Sequence, residues 1–524
     1  MKNMNLNTLK NKYYLIYLFQ FIILVCLIII CLYFFKIAIS YISPEINTNK
    51  ETANNFLIYY KYFIFDCVFI LIILIIFFIM KNISIEYLYL LTGLGIGLFY
   101  LLIMTPLSIP DEPHHYHSTH LLVNNLLLQE NKYISKSIYF DYSNLPGHYN
   151  ASSEYIRFAN EGIHRVNNFI DVNIPKPYNI DYFIYYLPQA FGVLIGRLLN
   201  LNFFGVFYLG RLTNLLFYVF CVFIAIKSVN EFKLPFFITG LLPMTLHQAA
   251  SFSYDAFING ISIVFISYFI RILYETKKLQ IKNIIILSIT GILLAPAKII
   301  YFPIVLLVFL ALPEYFGLKK SKGYILATGM IIIGIAMITL FNYNKLSVMT
   351  SQPEELNWEG QHNYKVSFIL EHPLQTIKIF FNTFNSQVIY YFQSMIGRFL
   401  SGLTLAIPEW YVLTFSLILF SSVFYNKKRT WTPKYLHKGL FLLIIISVIL
   451  LIILSMFLGW TSDIREIILG VQGRYFIPLI PLGLLFLRTR WYYNNNFYYL
   501  VIICCMLGMQ FLTIRYILNT TIGF

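Results

Sequence analysis

The chain has 524 residues, 58% of them hydrophobic and 12% charged, with a net charge of +15 and a mean hydropathy of +0.69. Soluble domains run at about 45–50% apolar and about 25% charged. The composition therefore excludes an ordinary soluble enzyme and a disordered chain, and the absence of a basic patch excludes a nucleic-acid partner. What remains is an all-α polytopic membrane protein, in which excess Lys and Arg marks one set of loops.

In chain order, the apolar runs long enough to cross a bilayer are 15–39, 60–80, 85–106, 208–228, 236–252, 256–273, 283–297, 299–314, 323–341, 407–425, 440–459, 475–489 and 497–517, about 13 transmembrane helices. The first exceeds a signal-peptide core and lacks a small-residue cleavage site, so it reads as a retained span. The shorter runs carry Pro296, Pro303, Pro478 and Pro481, which predicts broken or tilted helices supported by neighbours. The stretch 183–199 is apolar enough to span, but counting it would invert every later cluster of charge. It is expected to lie on, or dip into, one face. All six cysteines fall inside apolar runs, with neither disulfide nor metal spacing.

Orientation follows from charge. With the N-terminus inside, the cytoplasmic side holds 20 basic and 4 acidic residues and the remainder 18 and 19. The short clusters Arg271/Lys277/Lys278/Lys282, Lys319/Lys320/Lys322 and Lys427/Lys428/Arg429/Lys434/Lys438 all fall on that one side. Two long segments, 107–182 and 342–406, then lie outside and are expected to be ordered. Within the second, Ile377, Phe380, Phe384, Val388, Tyr391 and Met395 share one helical face, as in a helix resting in the membrane interface.

Four polar clusters stand out against the apolar background. Pro110-Asp111-Glu112-Pro113-His114-His115 places two carboxylates and two imidazoles between restrictive prolines. Burial there would lift a carboxylate towards neutrality, as a general base requires. His114, His117 and His120 recur every three residues, but no zinc-protease pattern accompanies them. His247 and Gln248 lie within or near hydrocarbon, where polar groups are costly and tend to be functional, while Asp255 is a helix cap or a site residue. Lys298, in a tight apolar turn, either snorkels or holds a phosphate. In Gln472-Gly473-Arg474-Tyr475, an Arg beside Gly has room to aim its planar fork at a phosphate or carboxylate. All four clusters map to the extracytoplasmic face.

Group transfer at that face must draw on a lipid-anchored donor, which needs an apolar groove, cationic groups and a base. Aromatic side chains such as Trp358 offer platforms for sugar. In order, Pro110-Asp111-Glu112-Pro113-His114-His115, Tyr186-Leu187-Pro188, Gly210-Arg211-Leu212-Thr213-Asn214, Leu242-Pro243-Met244, Ser253-Tyr254-Asp255 and Gln472-Gly473-Arg474-Tyr475-Phe476 resemble the bacterial membrane proteins classed as domain of unknown function 2142. That family is similar to the GT-C glycosyltransferases. The resemblance covers residues 85–490, with 1–84 and 491–524 as flanking helices.

The resemblance implies an inverting transferase of the bacterial cytoplasmic membrane. It would move sugar from a polyprenyl-phosphate donor to a glycan or lipid-linked acceptor among membrane lipids. Asp111, with Glu112 second, would be the base, and Arg474, Lys298 and Arg211 would hold the donor phosphate. His115, His114, His247, Gln248, Asp255, Gln472 and Tyr475 would support them. A divalent cation (Mg or Mn) on Asp111, Glu112 and Asp255 stays an open alternative. So do a flippase or other transporter and a glycan polymerase or ligase.

Overall fold

The structure, a computed structural model, describes residues 64, 67–68, 70–79, 81, 83–104, 106–128, 133–135, 169–171, 183–201, 203–275, 280–316, 319–350, 355–356, 361–426 and 428–521. The candidate span 15–39, most of the segment 107–182, and Trp358 lie outside the described residues.

The described chain is helical throughout, apart from three two-stranded antiparallel ribbons. Six helices have the length and apolarity to cross a membrane: Ile85–Ile103, Phe204–Ser228, Asp255–Glu275, Lys320–Leu340, Tyr435–Trp460 and Asn496–Thr520. Shorter apolar helices cover Ile70–Ile79, Ile281–Leu294, Ile299–Glu314, Glu409–Ser422 and Gly473–Leu487.

Ion pairs fix how these helices run. The first long helix, α1 (Ile85–Ile103), starts beside Lys233, whose ammonium lies 3.2 Å from Glu86. It ends at Met104, whose carbonyl accepts from Arg211 at 2.8 Å. The end marked by Glu86 is called here the far face, and the end marked by Met104 the site face. Glu231, Glu275, Asn426, Thr430 and Arg488 gather at the far face around Arg488–Glu231, with the Arg488 guanidinium 3.9 Å from the Trp431 ring centroid. Lys282, Lys319, Lys320, Lys322, Lys428, Arg429, Lys434 and Lys438 belong to helix ends or connections on that side. The described members of the charge clusters read from the sequence therefore share one face.

Three helices build the layer on the site face. They are α2 (Glu112–Leu126), α3 (Phe183–Leu198) and the first turns of α4 (Phe203–Ser228). Gly192 of α3 packs where any Cβ would strike the Leu209 carbonyl, so the α3–α4 crossing depends on that glycine. Tyr186 and Gln189, in the first half of α3, already sit at site level, and the helix runs from there away from the far face to Arg197, which bonds Asn124 at 2.8 Å. The stretch 183–199 thus does not traverse to the far face, as the charge pattern requires.

The expected span 236–252 is not one helix. It is α5 (Lys233–Gly240) followed by α6 (Pro243–Ala249), with an extended Leu242 leading into Pro243. Proline ends the first helix and starts the second, because it lacks the N–H that continuation needs. The freed carbonyls are satisfied internally. Gly240 accepts from Tyr89 at 3.3 Å, Thr245 at 3.3 Å and Tyr218 at 3.5 Å, and Leu241 accepts from Gln510. Gln510 belongs to the last helix, Asn496–Thr521, which therefore packs against the core.

The spans ending in Pro-rich stretches break as expected. Residues 299–316 form a 3-10 turn and two short helices, and 473–487 form a 3-10 helix, Gly473–Leu479, leading into a short α-helix, Ile480–Leu487. The segment 342–406 is ordered where described and contains the helix Pro373–Ile396. Along its expected greasy face Ile377, Phe384 and Val388 are exposed, and Phe384, Val388, Tyr391 and Met395 line an apolar cavity.

Candidate functional site

Residues from four distant parts of the chain meet at the site face. Arg474, at the start of the 3-10 helix, is 2% exposed and donates to the carboxylate of Asp111. Its other Nη lies 3.0 Å from the Pro110 carbonyl and 3.5 Å from Gln248 Oε1. Its Nε faces Asp255 at 3.4 Å, and Asp255 in turn holds Lys298 at 3.0 Å. The Lys298 ammonium sits between the rings of Tyr475 and Tyr254, 4.3 and 4.9 Å from their centroids. Two carboxylates and two cations thus form one continuous chain, Asp111–Arg474–Asp255–Lys298, against aromatic walls.

Local structure explains each placement. Asp111 caps α2 with φ of 62°, a left-handed conformation that Asp tolerates better than most side chains. Its side chain is half exposed, the open end of an otherwise buried network. Gly473 lets the 3-10 helix approach Pro373–Ile396: its N–H bonds the Ser394 hydroxyl at 3.0 Å, and a Cβ would overlap that hydroxyl and the Met395 amide. Tyr301 fixes the same turn by donating to the Tyr475 carbonyl at 2.9 Å. Asp255 starts its helix with its amide bonded to the Ser253 hydroxyl at 3.2 Å.

The electrostatics differ from the expectation for Asp111. Burial works against its ionised form, but the Arg474 guanidinium, by charge and hydrogen bond, together with the neighbouring His115 and His114, holds the carboxyl below the usual carboxylate range. Asp111 is therefore an ionised, masked carboxylate rather than one raised towards neutrality. His115 is pushed down to about 3, chiefly by burial. It is a neutral imidazole, bonded to the Tyr186 hydroxyl at 2.9 Å and meeting the Tyr254 ring edge-on.

Glu112 and Arg211 stand elsewhere. They form a fully buried bidentate pair, at 2.8 and 2.6 Å, and Glu112 also accepts the Phe252 amide at 3.1 Å. Arg211 spends its remaining fork on the Met104 carbonyl. This pair staples α1, α2, α4 and the Phe252 turn together. Neither member reaches a surface, so Glu112 is not placed as a second base, nor Arg211 as a phosphate ligand.

His247 is also turned away from Asp111, accepting the Ser401 amide at 3.0 Å. His114 is exposed, whereas His117 and His120 are buried. Gln472 is half buried next to Arg474.

The acidic set does not fit a divalent cation. Asp111 and Asp255 bracket Arg474, whose guanidinium fills the position between them, and the Glu112 carboxylate is bound to Arg211. Among the described residues no group of three His, Cys, Asp or Glu side chains is arranged to hold a metal. Tyr186 and Tyr254 complete the site; both fall inside motifs visible in the sequence, yet neither is ionised or otherwise conspicuous there. The Ser401 and Ser394 contacts carry no sequence signal.

Phe476 and Leu479 of the same 3-10 helix line an apolar cavity of about 370 Å³. Tyr391, Met395 and Phe476 line it near the site, and Leu419, Ile449 and Gly483 are among the residues that continue it along the bundle. Its volume lies in the range of small-ligand sites.

A profile of the family described as "Predicted membrane protein (DUF2142)" matches residues 94–483, and the chain belongs to that family. No curated protein and no solved structure matches the chain.

Proposed function

We propose that this DUF2142 protein is a membrane glycosyltransferase of GT-C type that uses a polyprenyl-phosphate sugar on the extracytoplasmic face. The observation that carries the reading is that one 3-10 helix, Gly473–Leu479, supplies Arg474 to the Asp111–Arg474–Asp255–Lys298 chain and Phe476 to the lining of an apolar cavity. Lipid tail, phosphate and acceptor each have a partner of suitable chemistry within one short 3-10 helix and its neighbours. The positive-inside pattern puts the far face in the cytoplasm and the site outside.

In the proposed reaction an acceptor hydroxyl oxygen attacks the anomeric carbon. The bond from that carbon to the phosphate oxygen breaks, and its electron pair leaves with the polyprenyl phosphate. Asp111 takes the hydroxyl proton. Arg474, backed by Lys298 through Asp255, stabilises the negative charge on the departing phosphate by fixed positive charge. His115, Tyr186 and Tyr254 wall the base, and Gln472 offers an amide to sugar hydroxyls. No metal step enters, because Arg474 fills the place between the two aspartates.

Transport is the rival reading, and the α5–α6 break in mid-bundle is the feature that favours it, since transporters bind cargo at broken helices. Here the break carbonyls are occupied by tyrosine, threonine and glutamine donors, which favours the enzyme. The test is transfer of labelled sugar from synthetic polyprenyl-phosphate donors by the purified chain in detergent. Transfer lost in Asp111→Asn and retained in excess chelator supports the proposal. Counterflow of labelled lipid-linked sugar in proteoliposomes without bond formation would replace it with transport.

A further inference from the structure

The cations of the site are already spoken for. Arg474 is buried, and of its partners among the described residues Gln248 and Asp255 belong to the packed interior while Pro110 is half-buried. Asp111 is half exposed. Lys298 is bound to Asp255 and lies between two tyrosine rings, its side chain 19% exposed. A phosphate reaching Arg474 from the exposed side therefore meets the Asp111 carboxylate first.

Resting on the transferase reading, we propose that Asp111 occupies the phosphate position, and that a lipid phosphodiester binds by replacing the Asp111 carboxylate on Arg474. Binding the donor then unmasks the base.

Charge supports a swap over simple addition. Asp111 and Asp255 balance Arg474 and Lys298. A phosphodiester carries one negative charge, as a carboxylate does, so exchange keeps the buried network neutral. Addition without exchange would leave one uncompensated charge in a partly desolvated site, which is costly. Backbone geometry supports it as well. Asp111 sits at φ 62° between Pro110 and Pro113, a left-handed point at the very start of α2. Strain of this kind at a non-glycine residue persists only when its surroundings hold it, and Arg474 supplies that hold. Released, the carboxylate moves to the solvent side, where an acceptor arrives. The base is then freed only when a donor is seated, which disfavours idle proton transfer to water.

The probes are dodecyl methyl phosphate, a chain-bearing phosphodiester, and dimethyl phosphate, which has the same headgroup without a chain. Equilibrium binding to the full-length protein in detergent is compared for the native chain, Asp111→Asn, Asp111→Glu, Asp255→Asn and Arg474→Gln. Exchange predicts that Asp111→Asn binds dodecyl methyl phosphate about tenfold more tightly, although it abolishes transfer. Asp111→Glu keeps the mask and shows no such gain. Asp255→Asn removes the same charge but leaves Asp111 on Arg474, so it gains nothing either. Arg474→Gln loses binding. Weak binding of dimethyl phosphate throughout assigns the ligand to lipid rather than to free phosphate.

Equal gains in Asp111→Asn and Asp255→Asn would reduce the effect to general charge and overturn the exchange. No gain in Asp111→Asn would overturn it too. The two readings fail separately. If the predicted signs appear and no sugar is transferred with any donor, the exchange stands and the transferase falls. If transfer depends on Asp111 but binding does not tighten in Asp111→Asn, the transferase stands and the exchange falls.

Discussion

Asp111 and Glu112 are neighbours with the same functional group, and the fold gives them opposite work. Glu112 is sealed against Arg211, so Glu112→Gln leaves a buried guanidinium without its counter-charge. Breaking such a pair costs about 3–5 kcal/mol. The expected outcome is a large loss of thermal stability in detergent, with residual transfer by the folded fraction close to native. A folded Glu112→Gln protein with no transfer would return Glu112 to the chemistry. The sequence shows both carboxylates in one short motif but cannot rank them, because the difference lies in a partner 99 residues away.

The same scale sets the pH response. Asp111 is held below its ordinary value of about 3.9, since Arg474 and the neighbouring histidines together outweigh burial. For a carboxyl lowered in this way, the ion-pair contribution is complete above that ordinary value and is lost only as pH falls through the folded one. His115, pushed down to about 3, is neutral across the physiological range. Neither group titrates between pH 5 and 8, so kcat/KM should carry no limb there that disappears in Asp111→Glu or His115→Gln. Profiles of the three proteins at matched donor concentration check this.

At the scale of elements, the cavity and the 3-10 helix are coupled through single positions. Gly483 lines the cavity, and a Cβ there meets nothing within 4 Å. Gly483→Ala should therefore be silent, whereas Gly483→Phe fills the space a lipid chain would use. The expected result is a KM for the chain-bearing donor raised about tenfold with kcat little changed, read from initial rates over a donor series. A Gly483→Phe enzyme with native KM would detach the cavity from the donor.

Much at this scale was legible. Prolines announced the broken helices at 299–314 and 475–489. The α5–α6 break was not legible, because 236–252 reads as one apolar run. What interrupts it is Pro243 together with hydroxyls from Tyr89 and Tyr218, contacts across 151 and 22 residues. The stripe on Pro373–Ile396 falls on a helix, as its period requires, and four of its residues also line the apolar cavity.

For the whole molecule, the four polar clusters meet because alternating helices return them to one face. Asp111 and Arg474 are 363 residues apart and in contact. Hydropathy alone cannot produce that meeting; hydropathy with charge asymmetry can, since each crossing reverses direction and the basic clusters fix its sign. The same logic predicts sidedness. His114 and Asp463 are exposed on the site face, and Tyr435 and Trp491, 94% and 83% exposed, on the far face. Single cysteines at these four positions, in a functional chain lacking its six native cysteines, are treated with a membrane-impermeant maleimide on intact cells. The first two should label directly and the last two only after permeabilisation. The reverse pattern would put the Asp111–Arg474 chain in the cytoplasm, where nucleotide-activated sugars are abundant and the case for a lipid-linked donor loses its physical basis. Mixed labelling within either pair would break the assignment of faces itself, and with it the reason these clusters were grouped into one site.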